Sequence, residues 1–495
     1  MTIDDNRQFI ELPLAEEDSS LRNWRVCSAC HGGGKWSRDP SPRILRRYQR
    51  AVRDAKPGDP PPKPPVPHIE HCPDCQGSGL EESETPTAPD PRYPSVAIIG
   101  GGIGGLALAV ACRHRGIPFT IFERDEDFDQ RSQGYGLTLQ QASNALKCLG
   151  IYSLPGALTS TKHVVHLADG TILGEWGLRK MGRPSVRSAP RRRNMHVARQ
   201  ALRLGLLRAL GGHEQVTWNH RLIDYDEGEK HEGEGKVDLN FEVGADHVKV
   251  QADIVVAADG IRSAVRKQLI GDALSPLRYL DCIVILGICP VDMLDPSPLV
   301  DGKTIFQTSN GNERIYMMPF SATEIMWQLS FPLPEEEAKG LNRSGAEALK
   351  KEALCRCASW HAPVTEIIAK TPLSEITGYP AYDRELLQAA WLPASSRVTL
   401  LGDAAHPMSP FKGQGANQAF LDALSLARSI YGEGCPEAGS VQKSLREFEA
   451  EMMPRSALKV KDSAAAATYL HSDVAICEGD FTRGDAATKL GEMRD

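Results

Sequence analysis

A glycine-rich loop near residue 100 has the spacing of a dinucleotide-binding turn. Gly100, Gly102 and Gly105 satisfy GxGxxG. The first glycine permits a tight turn, the second lets the backbone approach a pyrophosphate, and the third allows a helix to pack closely on a strand. Glu123 follows about 20 residues later, where a carboxylate can accept hydrogen bonds from ribose hydroxyls. The loop and Glu123 together favour dinucleotide binding over a purely structural turn. Because the chain contains one such loop, we expect one bound dinucleotide.

Four cysteines in two short pairs form a second candidate site. Cys27 and Cys30, like Cys72 and Cys75, stand in CxxCxGxG segments. Paired thiolates suit a closed tetrahedral zinc site, and the glycines let each turn direct its amides at sulfur. A redox pair is the alternative, but two copies with the same glycines favour metal binding. The two segments resemble the zinc domain of DnaJ-type co-chaperones, and that resemblance covers these segments alone.

Two aspartate-bearing loops identify the dinucleotide. Residues 258–266 (ADGIRSAVR) and 402–417 (GDAAHPMSPFKGQGAN) resemble the two downstream signatures of class A flavin monooxygenases, the para-hydroxybenzoate hydroxylase type. With the glycine loop they occur in the family's order, over residues 94–430. The cofactor is therefore expected to be FAD, with Asp403 placed to bind hydroxyl groups of its polyol chain. Gly413 and Gly415 stand before a predicted helix, whose amino end favours the negative charge of reduced flavin.

The resemblance also implies a set of cofactor-binding residues. Arg199 matches an arginine that reaches the flavin diphosphate, and Arg131 matches one near the flavin ring. A solvated surface arginine is the alternative for both. His406 is expected to be structural, and no catalytic side chain is assigned. Besides Gly100, Gly102, Gly105 and Glu123, the predicted cofactor-binding residues are Arg124, Arg131, Arg199, Asp259, Asp403, Pro410, Gly413, Gly415, Ala416 and Asn417.

The resemblance implies a monooxygenase that uses NAD(P)H as co-substrate, at a transient surface site, and O2. A flavin C4a-hydroperoxide would hydroxylate an aromatic or other electron-rich small molecule. A flavin-dependent reductase of the geranylgeranyl type, or a zinc-module adaptor with a vestigial flavin site, stays as an alternative. A flavin halogenase is disfavoured because the Trp-x-Trp-x-Ile-Pro segment is absent.

The elements that position these loops can be predicted from hydrophobic pattern. Buried strands are expected at 95–99, 117–123, 252–257 and 397–401, with a helix at 106–115 between the first two. Residues 304–332 show strand and turn signals of an antiparallel layer. The predicted fold class is α/β: a Rossmann-like FAD-binding domain, an antiparallel-sheet substrate domain, C-terminal helices and a small N-terminal zinc module. About half of Tyr316, Met318, Trp327 and Gln328 should face the substrate cavity.

Composition changes suggest where the domains begin and end. Proline-rich and polar stretches at 57–67 and 83–91 indicate linkers. A helix is expected over 441–470, with Pro454 breaking or kinking it. The predicted division is 1–90 for the zinc-binding module and linker; 91–165, 196–275 and 395–430 for the FAD-binding domain; 166–195 and 276–394 for the substrate domain; and 431–495 for the C-terminal helical region.

The composition of the 495 residues excludes several protein classes. Lys and Arg number 57 against 64 Asp and Glu, a net charge of −7, with 41% hydrophobic residues. These totals make nucleic acid an unlikely partner, and no apolar run is long enough for a membrane span. With no secretory signal pattern in the sequence, we expect a cytoplasmic location. Residues 41–56 stand out as a basic predicted helix, which could contact a protein or carrier partner.

Overall fold

The computed structural model describes residues 22–54, 62–65, 67–130, 135–140, 142–177, 194–228, 235–432 and 440–477. The strands are β1 (Asn23–Val26), β2 (Lys35–Arg38), β3 (His68–His71), β4 (Leu80–Ser83), β5 (Val96–Ile99), β6 (Phe119–Phe122), β7 (Gly136–Leu139), β8 (Leu158–Thr159), β9 (Lys162–Leu167), β10 (Ile172–Gly177), β11 (Met195–Ala198), β12 (Val216–Thr217), β13 (Arg221–Asp226), β14 (Val237–Val243), β15 (Asp246–Ala252), β16 (Ile254–Ala257), β17 (Leu277–Pro290), β18 (Thr304–Ser309), β19 (Arg314–Pro319), β20 (Glu324–Pro332), β21 (Ile376–Arg384) and β22 (Val398–Leu400). The helices are α1 (Pro42–Asp54), α2 (Ile103–Arg113), α3 (Ala142–Lys147), α4 (Arg199–Leu210), α5 (Ala264–Ile270), α6 (Glu335–Arg343), α7 (Gly345–Arg356), α8 (Val364–Lys370), α9 (Gly415–Tyr431) and α10 (Ser440–Tyr469).

A five-stranded parallel sheet in the order β12-β6-β5-β16-β22 forms the centre of the flavin-binding region. Every residue of β5 and β16 is buried, as expected for strands covered on both faces. The carboxyl ends of β5, β16 and β22 lie at one edge, so the glycine loop and both aspartate loops emerge side by side. The predicted Rossmann-like architecture is therefore confirmed.

A seven-stranded sheet in the order β10-β9-β18-β19-β20-β17-β21 forms the second layer. All its neighbours are antiparallel except β9 and β18, which run parallel. Its two faces contribute to different hydrophobic clusters: Trp327 belongs to the outer cluster, and Tyr316 and Met318 belong to the cluster facing the cavity. This is the antiparallel substrate layer expected from the sequence.

Two features of the fold differ from the sequence-based expectation. A three-stranded antiparallel sheet, β13-β14-β15, was not anticipated within the flavin-binding region. Of the two predicted outcomes at Pro454, the break is wrong, because α10 continues as one helix through this residue, and the kink stays a prediction. Phe448, Met452 and Val460 are buried on either side of the proline. Their burial offsets the cost of about 3 kcal/mol that an interior proline imposes on a helix.

The cysteine module, by which we mean the described residues between 22 and 83, consists of two strand pairs and one helix. β1 pairs with β4, and β2 pairs with β3, both antiparallel. Helix α1 lies in the connection between β2 and β3 and buries none of its residues. Among the described helices, none combines the length and the apolar character that crossing a membrane requires.

Candidate functional site

A cavity of about 760 Å³ lies between the edge of the parallel sheet and the seven-stranded sheet. The glycine loop, both aspartate loops and the start of α9 contribute to its wall. Seven of the predicted cofactor-binding residues line it: Gly102, Arg199, Asp403, Pro410, Gly413, Gly415 and Ala416. Loops far apart in the chain therefore meet at one cavity.

The three glycines of the first loop have different surroundings. Gly100 has a φ of +112°, and a Cβ at this position would press on the Ala258 carbonyl oxygen. A Cβ on Gly105 would collide with the carbonyl oxygen of Gly100, so this glycine allows α2 to pack on β5. A Cβ on Gly102 would meet no heavy atom within 4 Å. The second glycine thus faces open space, where a pyrophosphate can approach the backbone.

Glu123 lies at the end of β6 beside the glycine loop. Its Oε2 accepts a hydrogen bond of 2.6 Å from the amide of Gly101, and the residue is only 9% exposed. Arg203, which the sequence did not single out, donates from Nη2 to the Gly101 carbonyl at 3.3 Å. Arg203 lies one helical turn after Arg199, and that spacing on α4 was the available signal. Glu123 and Arg203 thus hold the glycine loop through the amide and the carbonyl of Gly101. Ribose binding by Glu123 stays a prediction.

Asp403 follows β22 and opens into the cavity. Its side chain is accessible from the cavity but is enclosed by protein on its other sides, and this burial raises the pKa of the carboxyl. The nearby His406 and Arg199 side chains partly offset that effect on the pKa of Asp403. A Cβ on Gly415 would lie 3.6 Å from Asp403 Oδ1, so the carboxylate is adjacent to the start of α9. This is the arrangement expected of a carboxylate that binds a polyol.

Asp422 on α9 holds the Asp403 loop from behind. Its Oδ2 accepts from the Gly402 amide at 2.8 Å and lies 2.6 Å from His406 Nε2, while Oδ1 accepts from Arg455 at 2.9 Å. Burial alone would raise the pKa of Asp422, but His406 and Arg455 hold it below its ordinary value. His406 is therefore structural, as expected. Asp422, which follows the GQGAN segment of the second signature, is a positioning residue.

The first aspartate loop supports the second. Asp259 Oδ2 accepts from the Ala264 amide at 2.8 Å, at the start of α5, and burial raises the pKa of its carboxyl. Its Oδ1 is buried without a hydrogen-bond partner among the described residues. Arg266 donates from Nη1 to the carbonyls of Ala404 and Ala405 at 2.8 and 2.6 Å. The neighbours of Asp259 line the cavity, whereas cofactor contact by Asp259 itself stays a prediction.

Asn417 fixes the turn before α9 rather than lining the cavity. It is 1% exposed, and its Nδ2 donates to the Gly413 and Thr138 carbonyls at 2.8 and 3.0 Å. Its Oδ1 accepts from the Gln140 amide at 3.0 Å. Gly413 has a φ of +59°, in the region that favours glycine. Gln140 is a further supporting residue for which the sequence carried no signal.

The predicted arginines lie in different environments. Arg199 begins α4, lines the cavity and donates from Nη1 to the Tyr135 hydroxyl at 3.3 Å. Arg124 is exposed beside Glu123 and does not line the cavity. Arg131 lies outside the described residues. Arg199 is thus at a helix start facing the cavity, as the resemblance implied.

The substrate side of the cavity comes from alternate residues of β19 and β20. Tyr316, Met318 and Gln328 line it, together with Arg314. Trp327 points to the opposite face, where its Nε1 donates to Thr371 Oγ1 at 2.8 Å. Gln328 Nε2 is buried with no hydrogen-bond partner among the described residues, so a donor is available to a ligand.

The residues present fit an FAD molecule. Gly102 leaves space for a pyrophosphate, Asp403 can accept from hydroxyl groups, and the amino ends of α2 and α9 both border the cavity. Helix amino ends favour anionic groups, which FAD carries in its pyrophosphate and, when reduced, in its ring. Three separate features therefore match three parts of one cofactor.

The four predicted zinc ligands meet in the cysteine module. Their sulfur atoms lie within 4.8 Å of one another, with Cys27 and Cys72 at 4.0 Å and Cys30 and Cys75 at 3.6 Å. A tetrahedral zinc site with bonds of about 2.3 Å places its sulfur atoms roughly 3.8 Å apart. Burial raises the pKa of Cys30 to about 12, so its thiolate requires a nearby cation. The geometry fits a closed metal site.

The two cysteine turns are nearly equivalent in conformation. In the first knuckle (residues 27–34), the Gly34 amide donates to Cys30 Sγ at 3.2 Å; in the second (72–79), the Gly79 amide donates to Cys75 Sγ at 3.1 Å. The knuckles also exchange backbone hydrogen bonds, from Cys27 to Gly79 and from Cys72 to Gly34. The repeated CxxCxGxG sequence thus forms a pseudo-symmetric pair, with glycine amides directed at sulfur as predicted.

Comparison with known proteins identifies the family. Residues 93–433 match the FAD binding domain family. Aurachin C monooxygenase/isomerase of Stigmatella aurantiaca is 32% identical, over 68% of this chain and 80% of that protein. The 3-amino-4-hydroxybenzoate 2-monooxygenase of Streptomyces cremeus is 29% identical, over 73% and 84%. The fold resembles 2,6-dihydroxypyridine-3-hydroxylase from Arthrobacter nicotinovorans, with a TM-score of 0.63 and 18% identity over 80% of this chain and 96% of that one. The chain therefore belongs to the FAD binding domain family, as one of its FAD-dependent monooxygenases.

Proposed function

We propose that this monooxygenase uses NAD(P)H and O2 to hydroxylate an aromatic or other electron-rich small molecule. When bound, FAD supplies the electron transfer and the reaction with oxygen. The observation that carries the proposal is one cavity that joins the glycine loop, the start of α9 and the substrate-facing residues of β19 and β20. Cofactor and substrate can therefore lie in contact.

The chain's own residues orient the cofactor and exclude water. The amides at the start of α9 can stabilise negative charge on the flavin ring, in a turn that Asn417 holds in place. Met318, Met326 and Phe411 provide an apolar wall on the substrate side. Such a wall would exclude water from the reaction site. We assign no side chain as a general acid or base.

Polar groups along the cavity indicate the kind of substrate. Gln328 Nε2 offers a buried donor, and Arg314, 2% exposed, lies beside it on the neighbouring strand. Relatives are named for 3-amino-4-hydroxybenzoate and 6-hydroxynicotinate, both small aromatic acids. We infer an amino- or hydroxy-substituted aromatic that also carries a hydrogen-bond acceptor such as a carboxylate or carbonyl.

A substrate screen tests this function. NADH or NADPH oxidation should be slow alone and faster with the right aromatic compound, with oxygen consumed and a product heavier by one oxygen atom. A product without added oxygen would favour the reductase alternative. If no compound in a panel of amino- and hydroxy-aromatic acids stimulated oxidation, the proposed substrate class would be wrong.

We also propose that Cys27, Cys30, Cys72 and Cys75 bind one structural zinc ion. The sulfur separations support this, and all described cysteines are free thiols, which suits a reducing compartment such as the cytoplasm. Metal analysis of protein purified under reducing conditions should find one zinc per chain. Its absence would overturn the assignment.

Helix α1 is the proposed contact with a partner, an acidic protein or carrier that delivers the substrate. Its polar face carries five arginines, whereas Ile44, Leu45 and Val52 on the other face are 39–51% exposed. This distribution suits an apolar groove with an acidic rim. Replacing Arg47 and Arg50 by Glu should impair turnover of the delivered substrate but not NAD(P)H oxidation with the free compound. Equal turnover of both would contradict the proposal.

A further inference from the structure

The cysteine module rests on the carboxyl ends of two helices whose amino ends border the flavin cavity. Arg428, in the last turn of α9, donates from Nε to the carbonyl of Gly32 in the first knuckle at 3.1 Å. Arg115, two residues after α2, faces the same glycine, because a Cβ on Gly32 would lie 3.4 Å from Arg115 Nη2. The module therefore touches the opposite ends of the helices that begin at the glycine loop and at Gly415.

Two further contacts fix this arrangement. Trp24 of β1 packs against Gly150, where any side chain would collide with the indole, and its ring lies 5.1 Å from that of Tyr152. The Cys148 thiol, close to α3, lies 3.9 Å from the Gly77 carbonyl in the second knuckle. Both knuckles thus contact the flavin-binding region.

The two arginines bring positive charge to this contact without a matching carboxylate. Arg115 is 3% exposed; its Nη1 donates to the Ala111 carbonyl at 2.9 Å, and its Nε has no hydrogen-bond partner in the described part of the chain. Burial, and also the neighbouring Arg428, lowers the pKa of Arg115 to about 10. Neither arginine forms an ion pair with a described carboxylate. A buried unpaired charge is costly, so Arg115, with the half-buried Arg428 beside it, calls for a source of negative charge.

A zinc–thiolate centre would supply that charge. Four thiolates leave a divalent zinc ion with two surplus negative charges, equal and opposite to two guanidinium groups. The Cys148 thiol is near both the arginines and the cysteine cluster, because its charged neighbours are Arg428, Arg115 and Cys75. The negative ends of the α2 and α9 dipoles also attract the arginines, but they do not explain a bond to the knuckle backbone.

We propose that Arg115 and Arg428 are positioning residues that seat the zinc centre on α2 and α9, so that metal loss weakens FAD binding at the far ends of these helices. This inference rests on the proposed zinc site. Side chains that orient metal ligands from outside the coordination shell contribute about 10- to 100-fold to metal affinity. Contacts of Arg115 and Arg428 with the cysteine module would make the module part of the flavin-binding structure.

Zinc release from the full-length flavoprotein tests whether these arginines position the zinc centre. Wild type, Arg428→Gln, Arg428→Lys and the control Arg46→Gln, on exposed α1, would be titrated with a coloured zinc chelator while flavin fluorescence reports FAD release. We expect Arg428→Gln to lose zinc about tenfold more readily, Arg428→Lys to be intermediate and Arg46→Gln to match wild type. Chelator-treated wild type should release FAD at least severalfold faster than the zinc-loaded protein.

The outcomes separate the two proposals. Wild type without zinc would overturn the metal assignment, and the positioning role of the arginines with it. Zinc held equally tightly by Arg428→Gln and wild type would overturn the positioning role of the arginines but not the metal assignment. Unchanged FAD release after zinc removal would overturn the coupling through the helices. Circular dichroism of each variant confirms that it is folded.

Discussion

The flavin cavity and the cysteine module use glycine for opposite purposes. At Gly102 the missing side chain leaves empty space for a ligand, whereas at Gly34 and Gly79 positive φ angles turn amides toward sulfur. The cavity lies between two large hydrophobic clusters, but the module's own buried cluster contains only Cys27, Cys72 and Cys75 among the described residues. The cavity therefore has a protein core around it, whereas the cysteine module has little core of its own, which suits the proposed zinc ion.

The largest effect should follow from breaking the metal site. Cys30→Ser should remove zinc and unfold residues 22–83, because structural zinc contributes on the order of 10 kcal/mol to such small domains. Metal analysis and limited proteolysis measure both effects. The exposed thiol of Cys355 offers the control Cys355→Ser, which should change neither. Zinc retained by Cys30→Ser would show that the module is not held as proposed.

Substitutions at two aspartates in the flavin-binding region should have different effects, one on protein stability and the other on FAD affinity. Asp422→Asn breaks a buried network and should lower the free energy of unfolding by about 3–5 kcal/mol. Asp403→Asn removes a carboxylate whose pKa is raised by burial, so stability should be maintained or rise while FAD affinity falls. Thermal unfolding and flavin fluorescence measure the two properties. The same pattern in both variants would contradict the assigned roles.

The pH dependence of stability follows from the opposite pKa shifts of these aspartates. Asp422 has a lowered pKa, so its contribution is present above its ordinary value of 3.8 and is lost as pH falls toward the folded-state pKa. Asp403 has a raised pKa, so it opposes folding as pH rises above 3.8. Asp422→Asn should therefore weaken the acid dependence of unfolding below about pH 4, which a denaturant titration across pH can measure.

Two glycines of one loop provide a smaller and more local comparison. Gly105→Ala should lower stability by about 1–3 kcal/mol, because the methyl group collides with the Gly100 carbonyl. Gly102→Ala has room and a φ of −77°, so the protein should fold normally. Its methyl group would occupy the pyrophosphate space, raising the FAD dissociation constant about tenfold, or about 1.4 kcal/mol. Unchanged FAD affinity in Gly102→Ala would place the pyrophosphate elsewhere.

The smallest effect concerns substrate binding. Gln328→Leu removes a buried donor and should raise KM for the acceptor-bearing substrate by about fivefold, equivalent to about 1 kcal/mol. Trp327→Phe, on the opposite face of the same strand, should lower stability by a similar amount and leave KM unchanged. Steady-state kinetics and thermal unfolding distinguish the two, and a KM shift in both would indicate damage to the whole sheet.

Local sequence pattern predicted the loops but not what holds them. Gly102 and Asp403 could be predicted as residues of the cavity because a turn and a motif mark their positions. Gln140 bonds to a residue 277 positions away, and Arg266 to carbonyls more than 130 positions away, distances over which no pattern operates. The helix expected over 441–470 is present, and it continues through Pro454 because buried neighbours outweigh the local cost of the proline. Long-range burial decided each of these cases.

The bond between Gly32 and Arg428 spans 396 positions, and this separation has a consequence for synthesis of the chain. Ribosomes add about 5–20 residues per second, so the two partners emerge on the order of 20–80 seconds apart. During that interval the two knuckles can pair and bind the proposed zinc ion, but the first knuckle cannot yet contact α9. The contact between the cysteine module and α9 can therefore form only after α9 has been synthesised.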